Sequence, residues 1–482
     1  MGWMNRREFL HESALWSAAL AAVSQMKTPA VEAAADKAGE VNGQLRVAVI
    51  GVRGRGRDHL TGFAGKNNCV VTTVCDCDSA YADTAIKAVE KAQGKAPKFE
   101  QDLRKVMDDK SIDIVSIATP NHWHALAAIW AMQAGKDVYV EKPVSHNVSE
   151  GRRIVEAARK YNKICQTGTQ SRTNAGMRQS IEYVRSGKLG KVTLARGLCY
   201  KLRPSIGKVE GEQAVPKTID YDLWCGPAPK NPLKRKNLHY DWHWTWDYGN
   251  GDLGNQGIHE MDKARWGLGK NELPRSVISL GGRFGYTDDG ETANTQICFF
   301  DYGDCQLIFE VRGLPGKDLL GAKVGNIFYG TEGYVVCPSY DTGVVFSPKG
   351  DKLETFKGGG DHYANFVKAV RNRKSDDLNA DILEGHLSSA LCHLGNISYR
   401  LGKQEPFSTG TKSFGDNKEA FESYQRMQEH LKENKVAVED GQVRAGRKLL
   451  LNSQSETFVN DKEADAMLTR EYRKGFEVPA KL

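Results

Sequence analysis

The sequence predicts an α/β protein: a doubly wound parallel sheet over residues 40–170, followed by an α+β domain with a large open, mostly antiparallel sheet over residues 171–430. Two observations predict this order. In the first region, β-branched runs alternate with helical segments of about 10–15 residues, as in parallel βαβ units. Beyond residue 190, strand-like runs succeed one another across short turns, as antiparallel strands do. Residues 431–482 are polar and weakly periodic, and we expect them to lie over the surface as an arm.

The parallel region begins with a buried strand over residues 45–50, a β-branched run that ends in a glycine. Further strands are predicted at residues 69–74, 112–118, 137–140 and 164–167, with helices between them at 81–92, 124–134 and 149–161. The second region carries predicted strands at 192–200, 276–284, 292–300, 306–311, 323–329 and 334–336, and helices at 362–372 and 383–400.

Composition excludes several classes of protein. The 482 residues carry a net charge of +7, from 67 Lys+Arg against 60 Asp+Glu. The chain has no block of about five or six like charges, so its charge pattern does not indicate nucleic-acid binding. Hydrophobic residues make up 40% of the chain, far above the disordered range, so a sizeable core is expected. The cysteines number 10, without a CxxC pair, which is too sparse for a disulfide scaffold and favours buried thiols.

The N-terminal region has the order of an export signal. Arg6-Arg7 is followed by Phe9-Leu10, then by a mildly apolar stretch over residues 13–26 and by Ala33-Ala34-Ala35, which fits an A-x-A cleavage site. The stretch is too short for a membrane span. We expect a twin-arginine signal over residues 1–35, passage through the twin-arginine export machinery and a periplasmic or otherwise exported protein. A disordered or amphipathic N-terminal helix is the alternative.

A glycine-rich turn, Gly51-Val52-Arg53-Gly54-Arg55-Gly56, follows the first strand directly. Such a turn lets the backbone approach a pyrophosphate, while the next helix offers its N-terminus to the charge. Asp76 ends the second strand, where an acid accepts hydrogen bonds from the ribose of a dinucleotide. Its carboxylate would repel a 2′-phosphate and favours NAD over NADP, although an arginine of the turn could neutralise that phosphate. A turn or helix cap is the alternative role for Asp76.

Glu141-Lys142-Pro143 lies at the carboxyl end of a later parallel strand, the edge of the sheet where ligands bind. Proline fixes the backbone after Lys142 and would aim the ammonium at the cleft. Beside a positively charged NAD⁺ ring, like charge and partial burial would lower the pKa of Lys142 and suit it to proton transfer. The alternative is a surface ion pair with Glu141.

These motifs together resemble one family. Thr119-Pro120-Asn121 with His124, then Glu141-Lys142-Pro143, is similar to the glucose–fructose oxidoreductase / inositol dehydrogenase (Gfo/Idh/MocA) family. Residues 249–262 resemble the catalytic segment of that family's second domain. The resemblance runs over most of residues 44–400, and the twin-arginine form with a long C-terminal arm is similar to a secreted branch. The motifs are specific to the family and not to a substrate.

The resemblance implies a Rossmann-like domain that binds NAD. The residues that would hold the pyrophosphate and the ribose are Gly51, Gly54, Arg55, Gly56 and Asp76. Those that would line the nicotinamide side are Thr119, Asn121, His124 and Glu141.

The resemblance also implies that Lys142 contacts the substrate hydroxyl next to the carbon that loses hydride, and that His259 is the general base or its proton partner. Asn255 departs from the family, which commonly has an Asp there to bind and orient the substrate. An amide holds no charge, so Asn255 cannot raise the basicity of His259, although it can hydrogen-bond sugar hydroxyls. The basicity could shift to Lys142, or to Glu260 or Asp262.

An aromatic segment precedes the second-domain motif. Trp242, Trp244 and Trp246 alternate, which on an extended chain places them on one face. They could stack on a sugar ring or fill the core. His239 and His243 have no acidic or Cys neighbours at the spacing of metal ligands, so no metal site is expected and a hydrogen bond to substrate or backbone is favoured.

Gln170 and Arg172 follow the last predicted parallel strand and enter the cleft from the domain junction. Arg172 could bind a polar substrate or tie the two domains together. The candidate substrate-binding residues are therefore Gln170, Arg172, His243 and Asp262.

The sequence thus predicts an NAD-dependent oxidoreductase that acts on the CH–OH group of a sugar or sugar derivative, with a tightly bound cofactor. One alternative is a redox-neutral NAD-dependent glycosidase or lyase that oxidises its sugar transiently. No carboxylate pair stands at a spacing that indicates an ordinary two-carboxylate mechanism. A non-catalytic sugar-binding protein is the other alternative. From the resemblance alone, a dimer or tetramer is expected.

Overall fold

The structure is a computed structural model that describes residues 43–410 and 412–482, so the export signal predicted over residues 1–35 lies outside the described residues. Among the described residues, one sheet is built from β1 (Leu45–Ile50), β2 (Cys69–Cys75), β3 (Lys98–Glu100), β4 (Ile114–Ile117), β5 (Asp137–Val140) and β6 (Cys165–Thr167). Their order is β3-β2-β1-β4-β5-β6, and the strands run parallel. β4 and β5 are buried throughout, as parallel strands covered on both faces are. The predicted doubly wound sheet is confirmed.

The helices of this region connect successive strands. They are α1 (Gly56–Phe63), α2 (Ala82–Gln93), α3 (Leu103–Asp108), α4 (Asn121–Gln133) and α5 (Val148–Lys160). Asn147 precedes α5 and caps its N-terminus, since its side chain accepts a hydrogen bond from the backbone N–H of Glu150 at 2.9 Å. α4 is buried almost throughout, because its apolar sequence leaves no polar face.

The second sheet has 12 strands within the described residues. They are β7 (Val192–Cys199), β8 (Ser276–Gly282), β9 (Thr295–Asp301), β10 (Gln306–Arg312), β11 (Val324–Gly330), β12 (Gly333–Cys337), β13 (Thr342–Phe346), β14 (Lys352–Lys357), β15 (Lys403–Pro406), β16 (Gln442–Ala445), β17 (Leu449–Asn452) and β18 (Thr457–Phe458). The main order is β14-β13-β12-β11-β7-β10-β9-β8-β16-β15, and only β7 and β10 pair parallel among these registers. The mostly antiparallel sheet is therefore confirmed.

The structure also describes helices in the second region. They are α6 (Ala175–Arg185), α7 (Tyr221–Cys225), α8 (Gly251–Gly254), α9 (Gly257–Gly267), α10 (His362–Asn372), α11 (Ile382–Arg400), α12 (Lys418–Glu433) and α13 (Lys462–Ala466). Alternate residues of β9 enter different cores: Cys298 packs with Leu391 of α11, and Phe299 packs with Met427 of α12. α9, which the site uses, lies against β7 and α11.

The C-terminal segment differs from the surface arm that the sequence predicts. β16 and β17 both pair with β8, and Leu449 and Leu451 are buried while Leu450 between them is 52% exposed. Farther along, Phe476 joins the core of the first sheet, edge-on to Trp123 with ring centroids 5.6 Å apart. Charged residues interrupt these short apolar runs, so the alternation typical of a strand is not evident in the sequence. The sequence therefore predicts a surface arm here.

Arg46–Leu482 forms one compact unit. All the cysteines are free thiols, and all except Cys77 are buried. Among the helices that the structure describes, none is long and apolar enough to cross a membrane.

Candidate active site

A cleft of about 560 Å³ opens at the carboxyl ends of β1, β2, β4 and β5, the edge at which such sheets bind ligands. Its opposite wall comes from later parts of the chain, including Trp242, Asn255, His259 and Tyr340. The predicted site residues that line the cleft are Gly51, Gly54, Arg55, Asp76, Thr119, Asn121, His124, Glu141, Lys142, Gln170, His243, Asn255 and His259.

The glycine-rich turn is built tightly against the end of β4. Gly51 has a φ of +81°, and a Cβ there would lie 2.6 Å from the carbonyl oxygen of Ala118. A Cβ at Gly56 would lie 1.8 Å from the carbonyl oxygen of Gly51, so Gly56 serves this packing and does not itself line the cleft. Gly54 has open space where a Cβ would stand. The turn is thus a cradle that is open on its cleft side, which fits a pyrophosphate.

Asp76 is held in place by two backbone amides. Its Oδ2 accepts from the N–H of Val52 and its Oδ1 from the N–H of Asp78, both at 3.0 Å. Burial raises the pKa of Asp76 above its ordinary value. The carboxyl group stands at the ribose end of the cleft and fits the predicted role. Arg53 also lines this end, with its guanidinium 5.0 Å from the centroid of the Tyr81 ring.

Glu141 is the centre of a hydrogen-bond network. Its Oε1 accepts from Arg55 Nε at 3.0 Å and from Gln170 Nε2 at 3.2 Å, and it lies 3.1 Å from His59 Nε2. Burial raises the pKa of Glu141, but the hydrogen bond from His59 and the charge of Arg55 outweigh burial and hold the pKa well below its ordinary value. Glu141 is therefore a carboxylate that fixes the cleft wall and the residue after it, Lys142.

Lys142, Asn255 and His259 meet at the boundary between the two regions. Lys142 Nζ donates to the backbone carbonyl of Asn255 at 2.8 Å, and burial lowers the pKa of Lys142. Burial and the charge of Lys142 hold the pKa of His259 well below its ordinary value. The His259 ring lies 4.8 Å from that of Tyr340, and its Nδ1 is buried without a partner in the described part of the chain. The cleft thus holds the neutral imidazole of His259 beside the amine of Lys142, whose pKa is lowered.

The residues predicted for the nicotinamide side are held by their neighbours. His124 directs Nδ1 at the carbonyl oxygen of Pro143, at 2.6 Å, and Nε2 at that of Thr119, at 2.8 Å. Asn121 Nδ2 donates to Asn250 Oδ1 at 3.0 Å. The hydroxyl of Thr119 is buried and lacks a partner among the described residues, so it is available to a ligand.

Arg172 and Asp262, two of the predicted substrate-binding residues, lie outside the cleft lining. Arg172 donates to the Asp262 carboxylate at 2.8 and 2.9 Å and to Glu384 Oε2 at 2.8 Å. Arg172 follows β6, whereas Asp262 is on α9 and Glu384 is on α11. The sequence predicts that Arg172 and Asp262 bind substrate, but both are buried in the domain junction, where each neutralises the charge of the other. This is the tie between domains that the sequence left open for Arg172.

The acidic alternatives for a base are likewise outside the cleft lining. Glu260 is fully buried, and its Oε1 lies 3.6 Å from Lys263 Nζ. Burial raises the pKa of Glu260 to about 7. Neither Glu260 nor Asp262 reaches the cleft, so the groups available there are Lys142 and His259.

The aromatic segment does not run extended as its alternation predicts. Asp241–Trp244 forms a 3₁₀ turn, which separates the three tryptophans. Trp242 lines the cleft and stacks on His243 with ring centroids 3.6 Å apart. Trp244 and Trp246 lie outside the cleft lining. His239 Nε2 contacts Asp78 Oδ2 at 2.8 Å, which closes the ribose end of the cleft.

Sequence motifs did not identify two contributors to the site. His59 lies inside α1 and reaches Glu141 from beneath the cleft. Tyr340 comes from the turn between β12 and β13, and its hydroxyl accepts from Gln256 Nε2 at 2.8 Å. No local pattern signals either residue, because each depends on tertiary contacts.

Two family models match the chain. Residues 45–169 match the oxidoreductase family's NAD-binding Rossmann fold, and residues 177–433 match the same family's C-terminal alpha/beta domain. Together they span the cleft and both sheets.

Curated relatives match a smaller part of the chain. A glycosyl hydrolase family 109 protein of Shewanella pealeana is 33% identical over 39% of this chain and 44% of its own length. An alpha-N-acetylgalactosaminidase of Shewanella oneidensis is 30% identical, over 31% of this chain and 33% of its own length. An inositol 2-dehydrogenase of Salmonella typhimurium is 28% identical, over 37% of this chain and 52% of its own length. The chain thus spans about half or less of the length of these relatives.

Solved structures share the fold. A levoglucosan dehydrogenase in complex with NADH and levoglucosan is 19% identical, with a TM-score of 0.56 over 73% of this chain and 96% of its own. The WlbA dehydrogenase of Bordetella pertussis, in complex with NADH and UDP-GlcNAcA, is 20% identical, with a TM-score of 0.53 over 73% and 95%. Given the two family models and the cradle that they cover, the chain belongs to the Gfo/Idh/MocA oxidoreductase family, and its first sheet is that family's NAD-binding domain.

Proposed function

We propose that the protein is an NAD-dependent oxidoreductase that acts on the CH–OH group of a sugar or sugar derivative. The observation that carries this proposal is that the glycine-rich turn and Asp76 share one cleft with Lys142 and His259. A dinucleotide site with an amine and an imidazole beside it has the groups that alcohol oxidation needs.

The cofactor would lie along the ends of the parallel strands. The cradle at Gly51 and Gly54 would hold its pyrophosphate, Asp76 its ribose, and Thr119 its nicotinamide side. When bound, NAD⁺ supplies the two-electron acceptor for the carbinol carbon.

Lys142 is placed to take the hydroxyl proton of the substrate. Because burial lowers its pKa, more of Lys142 is the neutral amine near neutral pH. A neutral amine keeps a lone pair for the incoming proton while one N–H still points at the carbonyl oxygen of Asn255, 2.8 Å away. That hydrogen bond fixes the amine against the wall of the cleft.

His259 would orient the same hydroxyl. Its depressed pKa keeps the ring neutral, and its Nδ1 has no hydrogen-bond partner in the described part of the chain. A neutral ring with a free nitrogen can hydrogen-bond the hydroxyl and direct it towards Lys142. Asn255 supplies its backbone carbonyl to Lys142, so its amide side chain is left for the substrate.

The substrate class is supported by the far wall of the cleft. The stacked rings of Trp242 and His243, with Tyr240 beside them, present flat apolar surface to a pyranose or cyclitol face. The names of the inositol and levoglucosan dehydrogenases point to the same class of substrate.

A panel of free sugars and glycosides tests the proposal. The purified protein is saturated with NAD⁺, each compound is added, and NADH is followed by absorbance. We expect net NADH with at least one compound. The proposal is contradicted if no compound gives NADH although NAD⁺ is shown to bind.

A redox-neutral glycosidase is the second candidate, and the names of two relatives favour it. The glycosyl hydrolase family 109 protein and the alpha-N-acetylgalactosaminidase match parts of this chain. In the same panel, this candidate predicts release of aglycone without net NADH. Net NADH without release of aglycone would contradict the glycosidase and support the dehydrogenase.

We also propose that the protein is exported and assembles as a dimer or tetramer. Arg6-Arg7 and the residues after it support export. Replacing both arginines with lysine should retain the protein in the cytoplasm, as cell fractionation would measure. Light scattering on the purified protein tests the assembly, and a monomer at all concentrations would contradict it.

A further inference from the structure

A second cavity, of about 270 Å³, lies behind the segment that carries Lys142. Its wall includes His146, His393, Arg400 and Arg470, and it shares no lining residue with the active cleft among the described residues. Ligand pockets commonly have volumes of about 300–1,000 Å³, so this cavity suits only a small ligand.

Two buried N–H groups in this wall have no acceptor. Arg470 Nη1 lies 3.2 Å from His146 Nδ1 and donates to it, so the neutral ring of His146 carries its proton on Nε2. Burial and the charge of Arg470 hold the pKa of His146 well below its ordinary value, which keeps the ring neutral. Within the described residues, neither His146 Nε2 nor Arg470 Nε has a hydrogen-bond partner. Buried donors are normally satisfied, so the wall lacks an acceptor.

Arg400 adds a second cation to the wall. Its guanidinium lies 4.9 Å from the centroid of the Trp246 ring and makes no hydrogen bond or ion pair with the part of the chain that the structure describes. Asp247 is the carboxylate of the lining, and its Oδ2 already accepts from Asn231 Nδ2 at 2.7 Å. The lining itself thus carries two guanidiniums and one carboxylate, and Glu291, outside the lining, is a second negative charge that acts on Arg400.

We propose that this cavity binds a small oxyanion, a carboxylate or phosphate group, through Arg400, Arg470 and Nε2 of His146. An oxyanion supplies the acceptors that the buried N–H groups lack and places a negative charge directly beside the two guanidiniums of the lining. Guanidinium groups recognise both kinds of oxyanion through paired N–H donors. The inference does not depend on the reaction proposed for the active cleft.

Asn250 connects this cavity to the active cleft. Its Nδ2 donates to the carbonyl oxygen of His146 at 3.1 Å, and its Oδ1 accepts from Asn121 Nδ2 at 3.0 Å. Asn250 lines the second cavity, whereas Asn121 lines the cleft. A bound oxyanion would therefore rest against the backbone that carries both Lys142 and the cleft wall.

Isothermal titration calorimetry on the full chain tests the proposal. The protein is first saturated with NAD⁺, so that the pyrophosphate cradle cannot take the titrant. Inorganic phosphate and glucuronate are then titrated separately, with glucose and with sodium chloride at equal ionic strength as blanks. Arg400→Gln is the main variant, because its guanidinium supports no hydrogen bond that folding would lose. Arg185→Gln, which removes the same charge from an exposed position on α6, is the matched control.

We expect one oxyanion site per chain, with an affinity at least about tenfold weaker in Arg400→Gln and unchanged in Arg185→Gln. The titrant that binds more tightly identifies the source, a free phosphate or a sugar acid. The proposal is overturned if neither oxyanion binds. It is equally overturned if Arg400→Gln, shown by circular dichroism to be folded, binds as the wild type does.

Discussion

At the scale of the residue, the site rests on two neighbours with opposite charge environments. Glu141 receives hydrogen bonds from Arg55 and Gln170, so it is stable as a carboxylate. Lys142, next in sequence, donates a hydrogen bond from its Nζ to a backbone carbonyl, and burial lowers its pKa. The carboxylate of Glu141 therefore stays ionised, while the amine of Lys142 can accept and release a proton.

The rate of sugar oxidation should rise with pH. Only the neutral amine of Lys142 accepts a proton, and burial lowers its pKa, so the rise should lie below the ordinary lysine pKa of about 10.4. His259 is already neutral and should add no step near its ordinary pKa. The measurement is kcat/KM between about pH 5 and pH 10. A rate that falls with pH, or does not change, would contradict the role given to Lys142.

Asp76→Ala should reduce the preference for NAD over NADP. The carboxylate faces the ribose end of the cleft, where it repels a 2′-phosphate, and Arg53 stands nearby to pair with that phosphate once the carboxylate is removed. We expect the ratio of the two affinities to fall at least about tenfold, measured by calorimetric titration. Asp83→Ala, at an exposed position on α2, is the control. An unchanged ratio in Asp76→Ala would contradict the assignment.

The sequence predicts that the residues at the strand ends lie in the cleft, because that position follows from a local pattern. Asp76 and Lys142 each lie just after a predicted strand, and the cleft forms where the ends of those strands meet. His59 and Tyr340 escape prediction because they reach the site through packing between distant elements. Asp262 was misplaced for a related reason: the sequence cannot show that Arg172 already neutralises it.

At the scale of the element, α9 positions His259, one of the two groups proposed to handle the substrate proton. It carries His259 at its first turn and Asp262 one turn later, where Arg172 and Glu384 anchor it to the end of the first sheet and to α11. The β13–β14 hairpin, which packs on α6, is not predicted by the sequence, since the charged residues of β14 are exposed at an edge and mask the strand period.

Arg172→Ala should destabilise the fold strongly. The change removes both hydrogen bonds that Arg172 donates to the buried carboxylate of Asp262, which keeps a hydrogen bond from Ser388 and the more distant Arg265 Nη2 at 3.9 Å. Losing the main partner of a buried carboxylate should cost about 3 kcal/mol of the free energy of unfolding. Urea denaturation measures the change. Lys98→Ala breaks an ion pair with Asp109 whose lysine is 60% exposed, and its effect should stay within about 1 kcal/mol. Equal losses in the two variants would show that the buried pair is not the tie between the regions.

At the scale of the whole molecule, the C-terminal segment joins the two sheets. β17 pairs with β8 of the second sheet, and Phe476 packs on Trp123 of the first. Trp123 lines the cleft and donates from Nε1 to the carbonyl oxygen of Leu223 at 2.8 Å. The order of the two sheets was predictable from strand spacing. The course of the C-terminal segment was not, because long-range pairing leaves no local period.

Phe476→Ala should weaken both the fold and NAD⁺ binding. Losing the buried ring costs about 3–5 kcal/mol of the free energy of unfolding and frees Trp123 at the cleft wall. Urea denaturation and NAD⁺ titration measure the two effects. Leu450→Ala, at a side chain that is 52% exposed, should change neither. Full NAD⁺ affinity in a folded Phe476→Ala protein would mean that the segment does not support the cleft.

The central claim is that Lys142 takes the substrate proton in the cleft that binds NAD⁺. Single-turnover NADH formation, with a sugar identified by the panel, tests it most directly in the wild type, Lys142→Met and the exposed control Lys217→Met. We predict that Lys142→Met keeps NAD⁺ binding but forms NADH about 10²–10⁴ times more slowly, while Lys217→Met matches the wild type. A Lys142→Met protein that forms NADH at the wild-type rate would contradict the account.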